Sequence, residues 1–566
     1  MKTNRALVLL FGCLNVCLIA AGQDLGNIRS QKPFTWHGSI GASLNFYSST
    51  EPVYTQPPYA WNIYGNFTGT VYGVSLPVSF LINQYGKSYT NPFTQFGISP
   101  TYKWAKLHLG YRNIVFSPLT YEGQSFKGAG VELTPGILRF AAFAGRLNKA
   151  VNEDTSSGRL KMPQYSRKGY GFKIGVGKEA NYIDLIYFSA KDDSTSSSVL
   201  NKFSTVRPQE NAVLGTSLKV TMLKKIVLTA DAALSGLTQD MAYGKDSTEG
   251  SLSKLFDKFL TTNSSTVHAW AGQALLNINL GKVQSNIGYR RVQPDFKSLG
   301  TPYMVNDIQA FSLANNFSLS KGKLNISTIL GTQHNNLNKK LSSQLNTTTG
   351  NININTMVSP KFTVNVNATG YALNQEDGTA KLKDSFRLKQ QVYQVSISPV
   401  YIIAGANANS TLSSNVTVGG LNDKNPATRP FSNNKNFSAS LTASRYLIKK
   451  GLNYSLTGLH NRFIQGSDLF TSTGINAGGG AQLLKEKNLS LQATVGYLFN
   501  NYKTAKAGGN ITFSFNAGYR ASKHAFNAFT NYLITTPGSF TPSPDKVPYA
   551  VMTRNFAGGL SYTYSF

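Results

Sequence analysis

The sequence predicts an all-β fold: one large up-and-down antiparallel transmembrane β-barrel of about 26 strands, within a range of roughly 24–26. Three observations predict it. Apolar and polar residues alternate from Phe34 to the last residue, Phe566. The connections between alternating segments are short and long by turns, and the composition shows no boundary that would divide 566 residues into separate domains.

The first element is a leader. Lys2 and Arg5 precede an apolar run from Ala6 to Ala21, and Ala20 and Gly22 supply the small side chains of a cleavage site before Gln23. Residues 1–22 therefore read as a signal peptide, residues 23–33 as a short periplasmic segment and residues 34–566 as the barrel. "LLFGC" offers a lipobox-like alternative at Cys13. Both cysteines, Cys13 and Cys17, lie in the leader, so the mature chain carries neither disulfide nor thiolate chemistry. No later apolar run reaches the ~20 residues of a membrane helix.

The strands follow. In "FTWHGSIGASLNFYSS" (34–49), Phe34, Trp36, Ile40, Ala42, Leu44 and Phe46 oppose Thr35, His37, Ser39, Ser43 and Asn45. A period of two sends these sets to opposite faces of a strand. Ile352, Ile354 and Val358 oppose Asn351, Asn353 and Asn355 in the same way. So do Leu489, Leu491 and Val495 against Ser490, Gln492 and Thr494. The interval 397–415 is the least regular.

The connections give topology. Short ones include "WAK" (104–106), "TPG" (134–136), "LKK" (223–225), "GK" (281–282) and "SKH" (522–524). Long polar ones lie near 147–168, 190–210, 236–267, 371–389, 416–435 and 534–552. Short turns on one side and long loops on the other describe a barrel with periplasmic turns and outer loops. Closure leaves no unpaired strand edge in lipid.

Leu560, Tyr562, Tyr564 and the terminal Phe566 resemble the insertion signal of bacterial outer-membrane barrels. The stretch "NPFTQFGISPTYKWAKLHLGYRN" (91–113) resembles a group of large, functionally uncharacterised Bacteroidota outer-membrane barrels. The wider resemblance to outer-membrane barrels implies residence in the bacterial outer membrane, with outer-membrane lipids as surroundings and the barrel-assembly machinery as partner during insertion. "DST" at 193–195 and 246–248 is similar to the Bacteroidota O-glycosylation motif.

Charge adds detail. Lysine and arginine number 55 against 25 aspartates and glutamates. Many lysines sit in or beside the short turns, so anionic lipid or periplasmic polymer fits this balance better than nucleic acid. Ordinary solvated turn lysines are the simpler reading. A second set, His108, Arg112, Glu132, Arg139, Lys173, Asp184, Lys219 and Asp231, falls on the polar face of the strands and is expected to line the lumen. On the lipid face such charges would cost about 2–4 kcal/mol at the midplane. They read as cross-strand ion pairs bracing the wall, or alternatively as a charged stripe for a polar solute. Later strands offer mostly Asn, Ser, Thr and Gln inward.

In the longest loop, Leu252, Leu255, Phe256, Phe259 and Leu260 recur at helical spacing. This helix is expected to fold into or over the mouth and narrow it, or else to pack on neighbouring loops. The six histidines are dispersed, with no HExxH and no nucleophile elbow. The chain reads as no enzyme, without cofactor or metal. Two functions remain: a pore or conduit for a polar solute or secreted substrate, or a structural anchor for surface proteins or glycans. A barrel this wide needs loops, a plug or a surface-exposed subunit to fill it.

Overall fold

In the computed structural model, the described residues are 32–51, 57–72, 74–84, 95–152, 163–196, 206–243, 251–384, 387–484, 486–538 and 552–566. Residues 1–22, read from the sequence as a leader, and the DST triplet at 246–248 lie outside them. The described residues form 27 strand segments in one antiparallel sheet. Gln95–Ile98 and Thr101–Tyr102 occupy a single place in the wall, both between Val74–Asn83 and Ala105–Arg112, so the barrel has 26 strands. Pro100, which has no N–H to donate, interrupts that strand. The ladder continues across the break because Ser99 donates to Pro77 (2.9 Å) and Leu107 to the Pro100 carbonyl (2.8 Å).

The ring closes between its ends. Phe34–Ser49 pairs with Thr553–Ser565 in a register running from Ser39 opposite Ser565 to Ser49 opposite Asn555. Phe566 and Gly38 exchange backbone hydrogen bonds of 3.0 and 3.2 Å, and the Phe566 ring lies 4.3 Å from Trp36. Leu560, Tyr562 and Tyr564 stand opposite Leu44, Ala42 and Ile40 in this seam.

Alternation decides which side chains meet lipid. Ile352, Ile475 and Val495 are 44, 58 and 51% exposed, an exterior no aqueous protein would keep. Val364 and Leu491 share that outer face through their registers with Thr356 and Ala517. The opposite face of the same strands carries Asn351, Asn353 and Asn355, with Asn353 and Asn365 pairing their amides.

Two details differ from the sequence reading. The strict alternation of long and short connections fails at 466–467 and 503–504, where tight two-residue turns occupy the long-loop side. Gly466 (φ 57°) and Lys503 (φ 53°) adopt the left-handed conformation such turns require. The irregular interval near 397–415 resolves into Lys389–Ala404 and Ala408–Asp423 around a three-residue turn.

Candidate functional site in the lumen

All eight sequence-predicted charges stand on the inner face. Arg139 and Asp184 form a two-pronged ion pair of 2.7 and 2.9 Å, with the guanidinium 4.0 Å over the Tyr182 ring. His108 is buried between Ser99 Oγ (3.0 Å) and Glu132 Oε1 (2.8 Å), and Lys106 approaches the same carboxylate at 3.2 Å. Arg112 donates to Ser79 Oγ at 2.7 Å and to the Gly97 carbonyl, fastening the interrupted strand to its neighbours. Asp231 accepts from Gln273 at 3.0 Å. Lys219 points inward by register opposite Tyr182, with no ion-pair partner among the described residues. In this arrangement Lys106 and His108 hold Glu132 on the adjacent strand, and Arg139 reaches Asp184 across the intervening strand, over Gly175.

Above that charged band the lumen is filled on one side. Residues 113–125 leave Ala105–Arg112 and, instead of projecting outward, fold against the inner wall. Ile114, Phe116, Leu119 and Tyr121 become almost fully buried there. Their partners are inward residues of the wall: Tyr121 lies 4.3 Å from the Phe143 ring and 5.3 Å from Phe188. Lys173 donates to the Val115 carbonyl at 3.4 Å and sits 5.8 Å from the Phe116 ring, so this charge is covered by the loop. Each fully buried apolar side chain of this size contributes about 1.5–3 kcal/mol.

A second long connection, 293–307, joins Val283–Val292 to Ile308–Leu319 and locks onto the first. Ser298 Oγ donates to the Thr120 carbonyl at 2.5 Å, and Glu122 N–H donates to Gly300 at 3.0 Å. Asn211, fully buried on the inner wall, accepts from Leu299 N–H (3.0 Å) and donates to the Lys297 carbonyl (3.2 Å). Burial holds the Lys297 ammonium below its ordinary pKa. Phe296 and Leu299 complete the core with Val213, Ala271 and Val292. These loops were absent from the sequence reading. Their signal was Ile114, Phe116, Leu119 and Tyr121 clustered around Pro118 without a period of two.

The loop helix Ser251–Phe256 does not narrow the lumen. Phe256 and Leu260 are buried against Tyr187, Ala212, Leu214 and Leu234, all on the lipid side of the wall. The absent side chain of Gly236 leaves the notch that receives the Phe256 ring, and His268 stacks on that ring at 5.2 Å. Thr261 N–H donates to Glu210 (3.0 Å) and its carbonyl accepts from Thr238 (2.9 Å). Phe259 lies 5.3 Å from Tyr187, and Leu255 is partly exposed beside it. The side chain of Leu252 is outside the described residues. The expected constriction is therefore a clasp on the barrel's exterior.

The remaining arc of the lumen is neutral and polar. Asn415–Ser398, Thr442–Thr457 and Ser472–Asn500 pair across strands at 2.6–2.9 Å. Toward the short-turn end, Asn453, Gln482, Gln492, Asn516, Asn527 and Phe529 line a recess of about 400 Å³.

No family model matches this chain, and no curated protein does. Among solved structures, Pseudomonas aeruginosa OpdQ matches with a TM-score of 0.34 at 12% identity, over 68% of this chain and 98% of its own. The translocation pore of the P pilus usher PapC matches at 0.38 and 10%, over 94% and 99%. Pseudomonas aeruginosa OccK2 (OpdF), solved in complex with glucuronate, matches at 0.29 and 9%, over 94% and 98%. Likenesses of this extent transfer no activity.

Proposed function

We propose that this protein is a bacterial outer-membrane conduit for polar solutes or a secreted chain. In this reading the long loops face outward, and passage follows the neutral arc of the lumen. The observation that carries it is the pair of inward loops. Residues 113–125 and 293–307 bond to each other, the second also bonds to Asn211, and together they fill one side of the lumen with a fixed apolar core. A barrel of 26 strands is too wide to hold a permeability barrier unaided. Loops that narrow it without a separate plug suit a selective passage. The opposite wall, lined with amides and hydroxyls, favours uncharged hydrogen-bonding groups such as sugar hydroxyls or peptide amides over ions.

Single-channel recording in planar bilayers tests this. Wild-type protein is expected to conduct, with conductance rising when the inward loops are released. Absence of channels from both wild type and a loop-released variant would sink the conduit. The anchor for surface proteins or glycans would then stand, tested by whether cells lose a surface protein when the outer loops are trimmed. Labelling of single cysteines placed at 338 and 523 in intact cells checks orientation: only 338 should react.

A further inference from the structure

We propose that the exterior of the barrel carries a binding site for a phosphorylated lipid headgroup, centred on Arg146, Lys168 and Lys191. Lys127, Arg146, Lys168 and Lys191 stand directly opposite one another on four consecutive strands: Lys127 pairs with Arg146, Arg146 with Lys168, and Lys168 with Lys191. Their face is the lipid face, which they share with Tyr170, Phe172 and Leu185 two to six residues along the same strands. Each cation lies within two residues of the long-loop end of its strand, as the bounds Phe126–Leu133, Leu138–Asn148, Ser166–Lys178 and Asn181–Asp193 show.

Like charges directly opposite one another on a sheet destabilise it. Three such contacts in succession therefore call for an external counter-charge. Among the described residues the row meets two carboxylates: Glu210 takes Lys191 at 3.0 Å and is itself occupied by the Thr261 backbone, and Asp193, on the same face two residues beyond Lys191, feels the charge of Lys168 while its Oδ1 accepts from Thr195. Neither Arg146 nor Lys168 has an ion-pair partner among the described residues. Strand spacing spreads the four cations over about 14 Å, enough for two phosphate groups.

The surroundings complete a site for lipid. Ala144, Gly145, Gly169, Ser189 and Ala190 are small, and with Arg146, Lys168 and Lys191 they bound a depression of about 410 Å³. Directly toward the bilayer centre, Tyr170, Phe172 and Tyr187 form an aromatic strip, with Phe259 of the exterior clasp against Tyr187. Cations above an aromatic strip match a lipid whose phosphates sit at the interface while its acyl chains run down the wall. On the proposed orientation that lipid belongs to the outer leaflet. The site itself does not require the conduit function.

The test uses full-length barrel in nanodiscs and the variant K127Q/R146Q/K168Q, which leaves the Lys191–Glu210 contact intact. A control, K449Q/K450Q/K487Q, removes the same charge from the short-turn rim. Binding of a bisphosphorylated lipid is read by native mass spectrometry, with inorganic pyrophosphate as competitor. Heat-modifiable migration confirms that each variant is folded. Wild type and control should retain the lipid and the row variant should bind at least about tenfold more weakly, while pyrophosphate displaces little. Equal binding by the row variant, or equal loss in the control, overturns the site. Displacement by equimolar pyrophosphate overturns the lipid assignment in favour of a free phosphate. None of these readouts depends on conductance, so a non-conducting barrel leaves the test intact.

Discussion

Gly300 lies directly beneath Tyr121, so close that a Cβ there would fall 2.7 Å from the tyrosine ring, 2.6 Å from the Thr120 carbonyl and 3.0 Å from Phe188. This contact is where the two inward loops meet, and only glycine fits. G300V should force them apart at a cost of about 1–3 kcal/mol of overpacking. The wall does not depend on this contact, so the barrel should still form. The expected result is a folded barrel with larger or noisier single-channel conductance. Unchanged conductance would mean that the loops do not set the width of the passage.

The Tyr121 hydroxyl is buried without a hydrogen-bond partner among the described residues. Burial accordingly raises its pKa far above the ordinary phenol value. A buried unsatisfied hydroxyl costs about 1–3 kcal/mol. Y121F should therefore be neutral or raise the unfolding temperature of the barrel, whereas Y121A, which opens a cavity, should cost about 3–5 kcal/mol. Destabilisation by Y121F would reveal a partner for that oxygen.

Asp184 is 2% and Arg139 18% exposed in their ion pair. Removing one partner strands the other charge on the wall, and D184N or R139Q alone should each cost about 3 kcal/mol. The double variant R139Q/D184N should cost less than the sum of the two, as measured in urea unfolding. Strict additivity would show that the pair is not coupled.

Deleting residues 251–260 should leave conductance unchanged, because Phe256 and Leu260 pack on the lipid face. Its effect should appear instead as a lower unfolding temperature, since Gly236, Ala212 and Leu234 lose their cover. A rise in conductance would return the helix to the mouth.

The wall was legible in the sequence because one rule governs it. A strand between lipid and water must alternate, so Phe34–Ser49 could be bounded to the residue and Ile352, Val364 and Leu491 assigned outward. The same rule placed Arg139 and Asp184 inward, since a charge in lipid is costly. It does not choose partners across strands, so their pairing had to be seen. It is also silent on segments that pack on a surface no pattern specifies. The stripe Leu255, Phe256, Phe259 and Leu260 announces an apolar face, but it does not say which side of the wall offers the notch. That choice is made by Gly236, Glu210 and Thr238, from other strands. The loop 113–125 was harder still: Phe116 and Tyr121 bury themselves through contacts with Phe143 and Phe188, which an alternating strand shows only as inward-pointing residues.

Phe566 closes the ring, and this makes it a test of assembly. Phe566 and Gly38 exchange two backbone hydrogen bonds, and the Phe566 ring contacts Trp36 at 4.3 Å, Tyr564 at 5.9 Å and Phe67 at 6.2 Å. Aromatic pairs contribute about 0.5–1.5 kcal/mol each beyond the area they bury. F566A keeps the backbone bonds and loses the ring contacts, so the last strand should still pair but dock more slowly. The fraction of heat-modifiable barrel should fall several-fold in outer membranes, and F566Y should restore it. Refolding into lipid vesicles without any assembly machinery separates two causes. A defect in both settings assigns the ring to closure of the seam. One seen only in cells assigns it to recognition by the assembly machinery. Wild-type yield of F566A in both settings would show that the terminal ring serves neither.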